Sequence, residues 1–208
     1  MDAMADSNPN SRLEALSDGV FAIAMTLLVL EIRVPSGDTI TAAGGLWLSL
    51  RHLLPSIFAF MLSFVTIFIT WVNHRATLKL VDKTSSPFIY ANGFLLLAVV
   101  LVPFAAALLG EYLPTDYAAP AVVLYTAVDV LLAVGWLSVT RAAVQPSLLT
   151  KDERSTLTVR SAHKNAYFAL AIYTACAALA FWFPLVIALI ITAIWIYWLF
   201  IGVRMRSE

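Results

Sequence analysis

Six long apolar segments constrain this chain more than any other feature of its sequence. They are predicted as helices at about 12–34, 47–74, 87–110, 117–141, 162–183 and 184–203. A helix needs about 20 mostly apolar residues to cross a bilayer, and the lack of water there leaves helices and closed barrels as the only spanning structures. With 61% apolar and 12% charged residues, the chain differs strongly from a soluble domain. We therefore expect an all-α integral membrane bundle of six transmembrane helices at residues 12–206, preceded by a cytoplasmic tail at 1–11.

Basic residues are unequally divided between the two ends of the predicted helices. Eleven of the thirteen Lys and Arg residues fall on one side, and only Arg33 and Arg51 on the other. Since cytoplasmic loops carry the excess of Lys and Arg, we expect a multi-pass protein of the cell membrane with both termini in the cytoplasm. Residues 1–11 lack the basic region of a signal peptide, so the first segment should be retained. One cysteine, Cys176, excludes a disulfide framework and a cysteine-based metal site.

The first apolar segment has polar residues at both ends of a short apolar centre. Its uninterrupted part, residues 20–30, is eleven residues long and includes Thr26. Ser17 and Asp18 at one end and Glu31 at the other make the segment long enough to span, but such groups need protein or water around them. At 3.6 residues per turn, Asp18 lies opposite an apolar stripe. The stripe consists of Val20, Ile23, Leu27, Leu30 and Val34.

The run Arg12-x-x-x-Leu16-Ser17-Asp18-Gly19, followed by VFAIAMTLLVLEI, resembles the first-helix signature of the transmembrane protein 175 family of potassium channels. The family usually has Phe before Ser-Asp, where this chain has Leu16. The resemblance implies a homotetramer in which the first helix of each copy lines the pore. It further implies that Ile23, Leu27 and Leu30 form the constriction, and that the hydroxyl of Thr26 helps to select potassium.

The function implied by this resemblance is a potassium-permeable cation channel rather than an enzyme. A narrow apolar ring closes a pore by dewetting, and no TVGYG carbonyl filter occurs in the sequence, so selectivity of the ordinary potassium-channel kind is excluded. We expect no cofactor, with potassium as the permeant ion. The expected partners are the lipid bilayer, monovalent cations and further copies of the chain, with no nucleic acid. Periodicity alone favours a plainer interpretation, in which the stripe packs inside a helical bundle.

Ser17 and Asp18 have two interpretations. Either residue can cap the N-terminus of a helix. The resemblance implies instead that they form hydrogen bonds to polar residues of the second and third helices, because an unpaired buried acid is costly. We interpret this set as a clamp that anchors the first helix, with a gating role as the alternative, since a histidine titrates near neutrality. The clamp comprises Arg12, Ser17, Asp18, Trp71, His74 and Asn92.

Two further acids carry alternatives. Glu31 is either the partner of nearby Arg33 or, in a tetramer, part of an acidic ring that concentrates cations at the outer mouth. Asp129 lies midway through the fourth predicted helix, and an intramembrane acid is a functional candidate by default. The plainer interpretation is a protonated or hydrogen-bonded acid, bonded either to Tyr125, one turn earlier, or to a neighbouring helix. If Asp129 is functional, the alternative is a proton-coupled or other secondary transporter, although such proteins commonly show two repeated halves and we find no internal repeat here.

Overall fold

The computed structural model describes residues 10–145 and 148–204, with side chains as far as Phe200. Within these ranges the fold is all-helical. The α-helices are α1 (Ser11–Leu27), α2 (Gly37–Ala43), α3 (Leu46–His52), α4 (Leu54–Lys79), α5 (Ser86–Tyr112), α6 (Ala118–Val144), α7 (Glu153–Leu179) and α8 (Pro184–Arg204). A 3-10 turn, Leu28–Glu31, continues α1. Most of the expected tail at 1–11 and the end of the chain after residue 204 lie outside the described residues.

Among the residues that the structure describes, four helices are long and apolar enough to cross a membrane, namely α1 with its 3-10 turn, α4, α5 and α6. The apolar part of α8 is shorter in the described range, Pro184–Phe200. The first half of α7 is polar, which lowers its mean hydropathy below that of a spanning helix. Six spanning helices and cytoplasmic termini stay predictions.

The first helix ends earlier than the sequence pattern predicts. Regular α-helix stops at Leu27, the 3-10 turn stops at Glu31, and the chain is extended from Ile32. Pro35 excludes the predicted end at Val34, because the ring of a proline disfavours helical backbone in the residue before it. Val34 is therefore not part of the apolar stripe, and it is 90% exposed.

The second predicted helix, 47–74, is two helices in the structure. Helix α3 ends at His52 and α4 begins at Leu54, with Pro55 in the first turn of α4. Proline fits the first turn of a helix but clashes with the carbonyl group four residues earlier, so an unbroken helix is disfavoured here. Helix α2 precedes α3, and the side chain of Ser36 caps it by accepting a hydrogen bond from the backbone N–H of Thr39.

Helix α7 begins at Glu153 rather than at the predicted residue 162. The prediction missed its first turns because they are polar and lie outside the apolar window. The carboxylate of Asp152 caps the helix by accepting a 2.7 Å hydrogen bond from the backbone N–H of Ser155. Hydrogen bonding to Ser155 lowers the pKa of Asp152, since it stabilises the charged form. The polar half of α7 is thus a capped extension of the helix beyond its apolar half.

Helix α5 is the centre of the bundle. It packs against α6, α4 and α1, while α7 packs on α6, and α8 packs on α4 and α6. Two glycines allow close approach: a Cβ atom at Gly135 would lie 2.9 Å from the Cα of Leu95, and one at Gly110 would lie 2.8 Å from the Cα of Ser56. Small residues are typical of such contacts between membrane helices.

Candidate functional site

Helix α1 has one face inside the bundle and one face that no described part of the chain covers. The inner face consists of Ser17, Phe21, Ala24 and Leu28, all buried, at the spacing of one helical stripe. On the opposite face Ile23 is 60% exposed, Leu27 42% and Leu30 69%. Of the four long apolar helices, α1 is the least buried. A neighbour other than the rest of this chain must therefore cover or face this side.

Thr26 lies on the exposed side beside Ile23 and Leu27. Its hydroxyl group donates a 2.9 Å hydrogen bond to the carbonyl oxygen of Ile23 in the same helix. Because the hydroxyl hydrogen is used within the helix, the hydroxyl oxygen remains available as an acceptor on the exposed surface. Thr26 is thus a polar acceptor within an otherwise apolar face.

Asp18 connects α1 to α4. The indole N–H of Trp71 donates a 2.7 Å hydrogen bond to Oδ1 of Asp18, and the guanidinium group of Arg75 lies 5.7 Å from the centre of the Trp71 ring. Helix α1 begins at Ser11, two turns before Asp18. The helix-cap interpretation of Asp18 is therefore wrong, because the residue lies within the helix and its carboxylate bonds to another helix.

His74 connects α4 to α5 and is also the inner neighbour of α1. It is 1% exposed, and its Nε2 lies 2.8 Å from Oδ1 of Asn92. Since the amide nitrogen of Asn92 donates to the carbonyl of Phe88, the amide oxygen accepts from the Nε2–H of His74. The imidazole ring packs on Phe21 of α1 at 5.5 Å and on Trp136 of α6 at 6.3 Å, between ring centroids.

Four of the six residues predicted to form the clamp come together as two hydrogen-bonded pairs, Asp18–Trp71 and His74–Asn92. Ser17 does not join them, because its hydroxyl group donates to the carbonyl of Leu13 in α1 itself. Arg12 is exposed and has no hydrogen bond to either pair within the part of the chain that the structure describes. Six residues correspond to about 600° of helix rotation, so Arg12 lies on a different side of α1 from Asp18.

Glu31 ends the 3-10 turn at the other end of α1 and is half-buried. It lines a cleft of about 10 Å³ together with Ser56 of α4 and Gly110 of α5. Arg33 is exposed, and no ion pair joins it to Glu31 among the described side chains. The predicted pairing of these two residues is therefore not present in this structure, and Glu31 lies against α4 and α5 instead.

Asp129 is 2% exposed, and its Oδ2 has no hydrogen-bond partner among the residues described. The hydroxyl group of Tyr125 bonds to Ser63 of α4 at 3.1 Å, so Tyr125 is not the partner that the sequence suggested. The indole of Trp195 in α8 is near enough to influence the carboxyl group, yet its N–H is also without a partner in the described chain. Trp195 was missed from the sequence, because nothing in an apolar helix marks which aromatic residue faces a distant acid.

These features first define the class of protein to which the chain belongs. Several long apolar helices, one of them with an exposed apolar face and a hydrogen-bonded acid at its inner side, form a multi-pass membrane protein. The model of the family described as the endosomal/lysosomal potassium channel TMEM175 matches residues 12–103. A protein named as a potassium channel in Chamaesiphon minutus is 39% identical over 176 residues, which cover 85% of this chain and 86% of that protein. The chain belongs to the TMEM175 family.

Other relatives agree with this assignment. A protein named as a potassium channel in Streptomyces collinus is 41% identical, over 64% of this chain and 66% of that protein. The crystal structure of a lysosomal potassium-selective channel TMEM175 homolog from Chamaesiphon minutus superposes with a TM-score of 0.84 at 36% identity, covering 93% of this chain and 97% of that one. A Danio rerio protein named as an endosomal/lysosomal proton channel is 35% identical, but the match covers 48% of this chain and 20% of that protein. All of these relatives are named as ion channels.

Proposed function

We propose that this protein is a potassium-permeable cation channel made of four copies of the chain, with the exposed face of α1 lining the pore. The names of the bacterial relatives support potassium as the permeant ion, and tetramer formation rests on the family resemblance. Each copy contributes six spanning helices, α1 and α4 to α8, as one domain after the short N-terminal tail. Both termini lie in the cytoplasm, because the loops at their end of the bundle carry most of the basic residues.

The observation that carries the proposal is the exposed apolar face of α1. Ile23 and Leu30 are 60% and 69% exposed, although they belong to a helix that has acids near both ends of its apolar centre. Such a helix is poorly suited to face lipid. One copy supplies a single helix of this kind, which cannot enclose a pore by itself. Several copies arranged around an axis would place these faces toward one another.

The constriction follows from the chemistry of that face. Rings of Ile23, Leu27 and Leu30 would form a narrow apolar tube that cannot replace the hydration of an ion, so the pore closes by dewetting and conducts when it widens. Thr26 adds a ring of hydroxyl oxygens, whose hydrogens are held by the carbonyl of Ile23. Such oxygens can coordinate a cation in place of the water that it loses on entering the constriction. Glu31 would form an acidic ring at the outer mouth that raises the local cation concentration.

The two hydrogen-bonded pairs support a structural clamp on the other side of α1. Asp18–Trp71 holds the helix to α4, and His74 packs on Phe21 while bonding to Asn92 of α5. Pore widening would have to occur around these fixed contacts, because breaking them leaves a carboxylate and a buried imidazole without their partners. This arrangement favours an anchor over a gate for Asp18.

A second candidate function has one specific observation in its favour. The Oδ2 of Asp129 is buried without a hydrogen-bond partner in the described residues, and unsatisfied acids in membrane helices are typical of proton pathways. Asp129 would then serve a proton-coupled secondary transporter. Flux measurements distinguish the two functions, because a channel passes ions downhill without coupling, whereas a transporter shows saturable, coupled exchange.

The test is flux through purified protein in liposomes, driven by a potassium gradient and compared with sodium. The wild type should pass potassium in preference to sodium, Ile23→Asn should increase leak, and Thr26→Ala should reduce the preference for potassium. Ile196→Asn is the matched control, since Ile196 is 48% exposed on α8 and away from α1. If neither α1 variant differs from the control, the assignment of the pore helix is wrong.

A further inference from the structure

A cavity that the channel proposal does not use lies between α4, α6, α7 and α8. Its volume is about 390 Å³, within the range of roughly 300–1,000 Å³ that small-molecule sites occupy. Ile69 of α4 and Leu80, the residue that follows α4, both line it, so it extends for about 16 Å along this helix at 1.5 Å per residue. The cavity is therefore long and narrow rather than round.

The two ends of the cavity differ in chemistry. At the end far from the loops, Tyr173 and Trp195 stack with ring centroids 6.1 Å apart and form an aromatic floor, and both are buried. Near the loops, Thr77, Thr158 and Ser161 supply hydroxyl groups. The lining includes no charged side chain among those described, so the part of a ligand that enters must be uncharged, since burying an unpaired charge is costly. The site fits a molecule with a long apolar chain and a polar end outside.

The opening of the cavity lies where a leaflet boundary is expected. Helix α7 changes there from its polar half to its apolar half, and Ser161 on the α7 side and Asn73 on the α4 side are both exposed. Arg154 lies one turn before Thr158, which lines the cavity, on the same face of α7, and is exposed as well. A phospholipid whose tail lies in the cavity would place its phosphate near this arginine, since basic residues attract anionic headgroups.

We propose that this cavity binds one acyl chain of a phospholipid from the cytoplasmic leaflet, with the headgroup held near Arg154. The proposal rests on the membrane topology of the proposed function but not on conduction. It adds a lipid site that lies behind the pore helix, because Trp136 lines the cavity and also contacts His74.

The first test is the lipid that stays bound to the full chain purified in mild detergent, identified by native mass spectrometry. The wild type should retain phospholipid, and Ala169→Phe, which places a ring in the cavity wall, should lower the retained amount by roughly fivefold, equivalent to about 1 kcal/mol. The control is Ala171→Phe, at an exposed position on the other side of α7, and it should retain phospholipid like the wild type. Equal retention in both variants would overturn the proposal.

The second test uses the tryptophans of the cavity as reporters in vesicles of phosphatidylethanolamine and phosphatidylglycerol with brominated acyl chains. Bromine quenches nearby indoles, so the wild type and Ala171→Phe should be quenched more than Ala169→Phe. The proposal would also be overturned if the bound molecule were a fatty acid or detergent in place of phospholipid. It would be overturned as well if Ala169→Phe lost assembly without a change in retained lipid, because a second copy of the chain would then occupy the cavity. Neither readout uses ion flux, so a failure of the channel proposal is seen separately.

Discussion

The hydrogen bond between Trp71 and Asp18 allows a quantitative prediction about the anchoring of α1. The indole nitrogen and Oδ1 are 2.7 Å apart, a short distance typical of a bond to a charged acceptor. Such bonds contribute about 1.5–3 kcal/mol, and because both residues are half-buried we expect the lower end of this range. For a chain of this size, about 1.5 kcal/mol corresponds to a fall in melting temperature of roughly 3–6 °C.

The assay is a double-mutant cycle on thermal unfolding, with Trp71→Phe, Asp18→Ala and the double variant. Each single substitution removes the same hydrogen bond. In the double variant the second substitution should therefore lower the free energy of unfolding by less than it does alone, with a coupling energy of about 1.5 kcal/mol. The control cycle pairs Asp18→Ala with Trp195→Phe, because the indole N–H of Trp195 has no hydrogen-bond partner in the described chain. Those two effects should add. Additive effects in the Trp71 cycle as well would refute the anchor.

Two further predictions concern packing and helix capping. Gly135→Ala should destabilise the protein by about 1–3 kcal/mol through overpacking, since the added Cβ would lie 2.9 Å from the Cα of Leu95. The control Gly93→Ala, where the added Cβ has no atom within 4 Å, should be neutral or stabilising. Equal melting temperatures of the two variants would contradict this prediction. The bond from Ser155 lowers the pKa of Asp152, so its contribution to stability is present above the ordinary value of 3.8 and is lost as the pH falls through the lower folded-state pKa. Protection of the first amides of α7 against hydrogen exchange, taken relative to the intrinsic rate at each pH, should therefore fall at low pH in the wild type and already at neutral pH in Asp152→Ala. Unchanged protection in that variant would exclude the cap.

The sequence was most informative where apolar length alone decides the structure. Apolar windows locate α5 and α6 to within three residues at each end, because few other structures satisfy backbone groups in lipid. They fail where local chemistry ends or extends a helix. Pro35 shortens the first helix, Pro55 divides the second prediction, and the cap at Asp152 adds polar turns to α7.

The polar contacts were only partly predictable. Periodicity puts Trp71 and His74 on one face of a helix, and the structure places them against Asp18 and Asn92. Arg12 and Ser17 were included on the strength of the motif, although rotation around α1 directs Arg12 elsewhere. The surroundings of Asp129 depend on which helices pack together, which a single sequence does not specify.

The central claim is that the exposed face of α1 lines a water-filled pore, and thiol accessibility tests it most directly. A cysteine at position 23 should react with a water-soluble, membrane-impermeant methanethiosulfonate reagent in liposomes, and the reaction should reduce potassium flux. Ile196→Cys provides the lipid-facing comparison, and the native Cys176 is buried. The account predicts fast modification and loss of flux for Ile23→Cys alone. Modification of Ile23→Cys no faster than that of Ile196→Cys, with unchanged flux, would contradict it.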